Sequence, residues 1–254
     1  MAGASPTSEA SEVRLEATGL CKSFGSLLVT DDVSLEARAG QALGIIGPNG
    51  AGKTTLFHLL GGSLRPDAGM VHLGGVDVSR EPPHRRCRRG LARTHQVPIP
   101  FLDLTVYENA LVGASFGRGR RGPRAPEQAM AALELAGIAP LCGRPARTLG
   151  LVERKRLELA RALAAEPLVL LLDEVAGGLT DDESAELAAV LGDIRASGVA
   201  LVWVEHAVHA LARFVDRLLA LDRGRVVAIG APAEVLADPA VQATYLGLGE
   251  EATA

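Results

Sequence analysis

The chain has 254 residues, 48% of them hydrophobic and 22% charged, with a formal net charge of −4 at pH 7. Such a composition can bury a real core, and its acidic balance lacks the basic field that nucleic-acid binding leaves, so no nucleic-acid partner is expected. The three cysteines, Cys21, Cys87 and Cys142, are far apart and form no C-x-x-C pair, which points to reduced thiols in a cytosolic protein and gives a metal site no support.

In chain order, residues 1–12 are small, polar and acidic without an apolar h-region, and read as a disordered tail rather than a signal peptide. Apolar β-type segments follow at 13–20, 33–37 and 42–46. The third runs into Gly47-Pro48-Asn49-Gly50-Ala51-Gly52-Lys53-Thr54-Thr55, and a helical pattern continues over 54–60. That stretch fits G-x-x-x-x-G-K-[ST] between a strand and a helix, the arrangement of a nucleoside triphosphate site. Its glycines let backbone N–H groups turn inward around phosphate, and the helix aims its positive end at the same anion. Lys53 is expected to bridge the β- and γ-phosphates and the Thr54 hydroxyl to hold Mg²⁺. Further on, His84-Arg85-Arg86-Cys87-Arg88-Arg89 reads as a solvated helix face.

Between about 101 and 165 the strand signal gives way to helical patterns at 106–112, 126–136 and 153–165, a helical insertion within an α/β core. The loop Gly117-Arg118-Gly119-Arg120-Arg121-Gly122-Pro123-Arg124 reads as a solvated connector, with lipid headgroup contact as the sharper alternative. Leu168-Val169-Leu170-Leu171-Leu172 is apolar without alternation, as a central strand covered on both faces should be. A capping box at Thr180-Asp181-Asp182-Glu183 opens a helix over 182–196, and a last strand spans 199–204. Strands alternating with helices indicate a mostly parallel sheet. No run approaches the roughly 20 apolar residues that span a bilayer, so at a membrane another chain must do the spanning.

Hydrolysis of a γ-phosphate needs Mg²⁺, a positioned water and a group that orients that water. Asp173 and Glu174, directly after the apolar strand, meet the metal and water needs. Asp173 suits a Mg²⁺ ligand, directly or through water, and Glu174 suits the group that polarises the water.

With these residues in this order, the chain resembles the ATP-binding subunit of an ABC transporter over nearly all of 13–247. The resemblance implies a P-loop NTPase with a RecA-like core of mostly parallel sheet, an antiparallel β subdomain and an inserted helical subdomain at about 97–165, leaving 248–254 as a tail. It implies ATP and Mg²⁺ as cofactors, with ATP on residues 47–55 and Mg²⁺ held by Thr54, Gln96 and Asp173. Phe24 in Lys22-Ser23-Phe24-Gly25 would stack on adenine. Gln96 in Thr94-His95-Gln96 would sense Mg²⁺ and the membrane subunit, and His206 in Val204-Glu205-His206 would contact the γ-phosphate. Singly, each of the three is an ordinary structural residue; order and spacing carry the reading. The family's signature, usually L-S-G-G-Q before a helix, is represented by Leu149-Gly150-Leu151-Val152-Glu153, which departs from it. Gly150 has no hydroxyl, and Val152 puts a β-branched side chain where backbone must approach an anion. That departure implies an asymmetric pair of ATP sites, this chain's phosphate loop being completed by another subunit's signature. Val175 and Thr180 also stand where the family commonly has Pro and an Asp or Asn.

The segment 234–247 and Leu104-Thr105-Val106-Tyr107-Glu108-Asn109 resemble ATPases serving uptake of branched-chain amino acids. ATPases for urea, amide or aromatic acid import and for lipopolysaccharide export end similarly and remain alternatives. Implied partners are integral membrane permease subunits, a second ATP-binding subunit, identical or different, and indirectly a secreted or periplasmic solute-binding protein. The implied location is cytoplasmic, on the inner face of the membrane. Soluble ABC ATPases of DNA repair or translation usually carry a long coiled-coil insertion or two ATPase units, and neither is present. A P-loop kinase or GTPase would leave 149–163 unexplained, and no N-K-x-D guanine motif occurs.

Overall fold

The computed structural model describes residues 12–118, 124–205 and 207–250, the side chains of Asp181 and 245–250 excepted. The expectations for residues 1–11, for 119–123 of the arginine loop, for His206 and for 251–254 lie outside the described residues.

In chain order the strands are β1 (Val13–Phe24), β2 (Leu27–Arg38), β3 (Ala42–Ile46), β4 (Ala68–Leu73), β5 (Val76–Asp77), β6 (Leu91–Arg93), β7 (Val169–Asp173), β8 (Ala200–Val204), β9 (Arg217–Asp222) and β10 (Arg225–Gly230). The helices are α1 (Lys53–Gly61), α2 (Pro83–Arg88), α3 (Val106–Phe116), α4 (Ala125–Leu135), α5 (Leu151–Ala164), α6 (Asp181–Ala196), α7 (Val208–Phe214), α8 (Pro232–Ala237) and α9 (Pro239–Glu250). β10-β9-β3-β8-β7-β6 form one sheet, parallel except for β10 at its edge, and β2-β1-β4-β5 form a separate antiparallel sheet. Helices α3, α4 and α5 all lie between β6 and β7. The fold is that of a P-loop NTPase with an antiparallel subdomain.

Alternate residues of the central strands enter two different cores, which is why those strands are apolar at every position. Ala42, Ile46, Leu170, Leu172, Leu201 and Trp203 pack with the α3–α5 helices. Leu43, Ile45, Val169, Leu171, Val202 and Val204 pack with Leu56, Phe57 and Leu60 of α1 and with the inner face of the antiparallel sheet. Each fully buried leucine contributes about 1.5–3 kcal/mol relative to exposure, so the sheet edge that carries the loops is anchored from both sides. The capping box at α6 forms as expected: Glu183 N–H donates to Thr180 Oγ1 at 3.3 Å, and Thr180 N–H to Glu183 Oε2 at 2.7 Å.

The 84–89 run is not wholly a solvated face. Arg86 is completely buried and donates to the carbonyls of Leu59 (2.7 Å), Leu60 (2.6 Å), Ser79 (3.2 Å) and Glu81 (3.0 Å). It thereby serves carbonyls in the last turn of α1, that of Leu59 being shared with the Gly62 N–H. Burial lowers its pKa to about 10, opposed by Glu81 and Asp77. At the other end of the chain, α9 runs past 247 to Glu250. Among the described residues, no helix is long and apolar enough to cross a membrane.

Candidate active site

The loop from β3 into α1 is glycine-rich for steric reasons that can be named. A Cβ on Gly47 would stand 2.4 Å from the Leu221 carbonyl oxygen, and one on Gly52 would stand 2.6 Å from that of Val29. Gly52 also has φ +99°, a left-handed conformation that side chains disfavour. Gly52 caps α1 without any side-chain hydrogen bond, so the first-turn amides are available to an anion rather than to a capping side chain. They face a cavity of about 230 Å³ lined by Asn49, Gly50, Lys53, Thr54, Thr55 and Glu174, among others. A larger cavity of about 620 Å³ lies near Leu168 and Val199, at the opposite strand ends. Ligands of open α/β sheets bind beyond the carboxyl ends of the strands, so the smaller cavity is the candidate site.

Lys53 is buried, and its ammonium donates to the carbonyls of Gly47 (2.6 Å) and Pro48 (2.9 Å). Burial lowers its pKa and the nearby Glu174 carboxylate opposes that effect.

Asp173 ends β7, and its Oδ2 accepts from Arg93 Nη2 at 2.7 Å. Arg93 ends the adjacent β6, and its guanidinium also sits 5.7 Å from the centre of the Phe57 ring. With both side chains mostly buried, this ion pair is shielded more than a surface one. Glu174, the next residue, has φ +49°. A non-glycine residue held there costs on the order of 1–3 kcal/mol and is typical of sites where geometry matters more than stability. Its N–H donates to the Val204 carbonyl at 2.9 Å, and its Oε2 accepts a short hydrogen bond from Gln96 Nε2. Two residues 78 positions apart thus meet beside the phosphate loop.

Four charged residues that no motif singled out organise this contact. Glu158 of α5 is 3% exposed, and it accepts from His95 N–H and from Ile99 N–H, each at 2.8 Å. Arg161 donates to the Ile99 carbonyl at 2.8 Å and lies 5.6 Å from the Phe101 ring centre. Lys155 donates to the carbonyls of Val175 (2.8 Å) and Gly177. Burial lowers its pKa, opposed by Glu205 and Glu174. Glu205, itself buried, accepts from Ala176 N–H at 2.7 Å and from Trp203 Nε1 at 3.2 Å. The one sequence signal for Glu158 was a carboxylate among the apolar residues Leu157, Leu159 and Ala160.

The residues expected to hold Mg²⁺ present a hydroxyl, a carboxylate and an amide, the hard oxygen donors that this ion takes. Gln96 bonds Glu174 through its nitrogen, so its amide oxygen is the atom suited to a metal. Asp173 meets a metal only in competition with Arg93. Phe24 stands apart from this cluster at the end of β1, opposite Leu27, half exposed and with the Lys22 ammonium 5.8 Å from its ring centre. In the 149–153 segment, Gly150 caps α5 with no side-chain bond, and Glu153 Oε2 reaches back to accept the Gly150 N–H at 2.8 Å.

Residues 30–177 match the ABC transporter family, and residues 225–251 match the branched-chain amino acid ATP-binding cassette transporter family. The lipopolysaccharide export system ATP-binding protein LptB of Haemophilus influenzae is 34% identical over 233 residues, covering 92% of this chain and 97% of LptB. The high-affinity branched-chain amino acid transport ATP-binding protein BraF of Pseudomonas aeruginosa is 34% identical over 248 residues, again covering 92% of this chain and 97% of the relative. Among solved structures, the ADP conformation of MJ1267, an ATP-binding cassette of an ABC transporter, superposes with a TM-score of 0.84 at 28% identity, covering 92% of this chain and 99% of that one.

Proposed function

Because this chain belongs to the ABC transporter family as an ATP-binding, ATP-hydrolysing subunit, we propose that it drives uptake of branched-chain amino acids or related small solutes through separate permease subunits. The match over 225–251 and the likeness to BraF support uptake. The second reading, lipopolysaccharide export, is favoured by the equal likeness to LptB. Loss of labelled leucine uptake on deletion of the chain, with the outer envelope unchanged, is the outcome expected of an importer; the reverse pattern replaces it with the exporter.

The hydrogen bond between Gln96 and Glu174, beside the cavity that also presents Lys53 and Thr54, is the observation on which the catalytic reading stands. Backbone N–H groups of the 47–55 loop, Pro48 having none, and the Lys53 ammonium would bind the phosphates, Lys53 exchanging its two loop carbonyls for phosphate oxygens. Mg²⁺, held by Thr54, Asp173 and Gln96, would neutralise charge on those oxygens. Glu174 orients the attacking water, and the Gln96 side chain keeps that carboxylate aimed. His206 is assigned to the γ-phosphate and Phe24 to adenine.

The segment after Gln96 leaves Val97, Ile99, Phe101 and Leu102 about half exposed or more. A cluster of large exposed apolar side chains marks an interaction surface, and we assign it to the permease. That contact would hold the chain on the inner face of the membrane. A second ATP-binding subunit would close on the phosphate loop, and the Gly150 and Val152 departures favour a different chain in that role. Full turnover by the isolated chain would remove that asymmetry.

The test of the catalytic assignment is Glu174→Gln. ATP affinity should be kept and turnover should fall at least about tenfold, equivalent to about 1.4 kcal/mol of barrier. Unchanged turnover would take Glu174 out of the role.

A further inference from the structure

We infer that Glu158 is a positioning residue for hydrolysis: its buried carboxylate fixes the loop that carries Gln96 and so sets the contact between Gln96 and Glu174. The inference rests on the roles given above to Gln96 and Glu174.

The two carboxylate oxygens of Glu158 accept one N–H on each side of Gln96, that of His95 just before it and that of Ile99 three residues after. Neither amide belongs to a strand or helix, so these bonds are how the loop is located rather than an accessory to sheet pairing. The arrangement is not a packing device. A carboxylate this buried costs free energy unless fully hydrogen-bonded, and an apolar residue of similar size often serves a core as well or better. Arg161, 3.6 Å from Glu158 Oε2, adds an opposite charge and holds the Ile99 carbonyl as well.

Residues three apart share a helix face, and Lys155 stands three residues before Glu158 on α5. Lys155 holds the carbonyls of Val175 and Gly177, immediately after Glu174. One helical face therefore grips both sides of the Gln96–Glu174 contact: the Gln96 loop through Glu158, and the turn after Glu174 through Lys155. Since α5 begins at the 149–153 segment, any displacement of that segment reaches the contact through a rigid element. Glu158 does not line the phosphate-loop cavity, and in this arrangement it acts only through Gln96.

The experiment is a double-mutant cycle on the full chain, read as single-turnover ATP hydrolysis and nucleotide affinity. Glu158→Gln keeps the shape but offers one acceptor oxygen to two N–H donors. Turnover should fall about tenfold with ATP affinity changed less than about twofold, because an interaction at the reacting centre is lost while nucleotide contacts remain. Exchange at the His95 or Ile99 amide should speed at least about tenfold as that hydrogen bond is lost. In a Gln96→Ala background, Glu158→Gln should cost less than about a further twofold, since residues acting through one contact are not additive. Additive losses would give Glu158 a structural role only and overturn the inference, as would unchanged turnover in Glu158→Gln. If Gln96→Ala alone leaves turnover intact, the role of Gln96 itself is wrong and the inference goes with it. Melting curves of each variant separate loss of fold from loss of positioning, and a Glu158→Gln chain that loses turnover only by unfolding counts against the inference.

Discussion

Gly52 and Gly150 each stand at the N-cap of a helix, α1 and α5, for different reasons. At the phosphate loop, Gly47 and Gly52 are forced: a Cβ on either would press within 2.4 or 2.6 Å of a carbonyl oxygen of another strand. At the 149–153 segment, Gly150 has φ −70° and ψ 177°, extended backbone open to any residue, and a Cβ there would meet nothing nearer than Glu153 Oε2 at 3.9 Å. The first cap leaves its amides to an anion. In the second, Glu153 takes the Gly150 amide, and a carboxylate already complements the positive helix end. At Gly47 and Gly52 crowding excludes a side chain from the loop, whereas at Gly150 the structure leaves room for one.

The largest expected effect comes from Gly52→Ala. The new methyl adds left-handed strain, on the order of 1–3 kcal/mol, to a clash with the Val29 carbonyl oxygen. Nucleotide affinity measured by calorimetry should fall about a hundredfold, nearly 3 kcal/mol. Full retention of binding would show that crowding does not shape the cradle, and the contrast between the two caps would collapse.

Lys53→Ala should follow, with ATP affinity weakened at least about tenfold, in line with roughly 1.5–3 kcal/mol for hydrogen bonds to a charged group. Because Lys53 also bonds the Gly47 and Pro48 carbonyls, melting should shift down modestly as well. A melting shift with unchanged ATP affinity would make Lys53 a prop of its own loop and not a phosphate ligand.

The same contrast explains what could be read in the sequence. The phosphate loop was legible because backbone crowding dictates glycine at fixed spacing, and β3, β7 and β8 because burial on both faces demands unbroken apolar runs. β4, β6, β9 and β10 were not: β6 has only three residues, β4 and β10 are mostly not buried, and β9 buries four residues between charged ends, so none carries a long apolar run. Arg93, Lys155, Glu158 and Glu205 each look like solvated charges, and only folding supplies the partners that justify their burial: Asp173, the Val175 carbonyl, the His95 amide and the Ala176 amide. Arg86 misled for the same reason, since the four carbonyls it serves include Leu59 and Leu60 of α1. A motif records what one stretch of backbone must do, whereas a buried charge records an agreement between distant stretches.

The smallest expected effect is the most discriminating. Gly150→Ser places a hydroxyl at the α5 cap, where the extended backbone already suits a capping serine and the space is open. A serine cap exceeds glycine by only a few tenths of a kcal/mol, so the melting temperature should hold or rise slightly. If the missing hydroxyl limits a site completed by this segment, turnover of the chain alone should rise about two- to threefold, well under one tenfold step of about 1.36 kcal/mol. Adding Val152→Gly should raise it further, because the half-buried valine keeps backbone from an anion even when the hydroxyl is restored. A destabilised Gly150→Ser chain would mean that glycine is required there as it is at Gly52. A stable one with unchanged turnover, alone and with Val152→Gly, would place the limit outside the 149–153 segment.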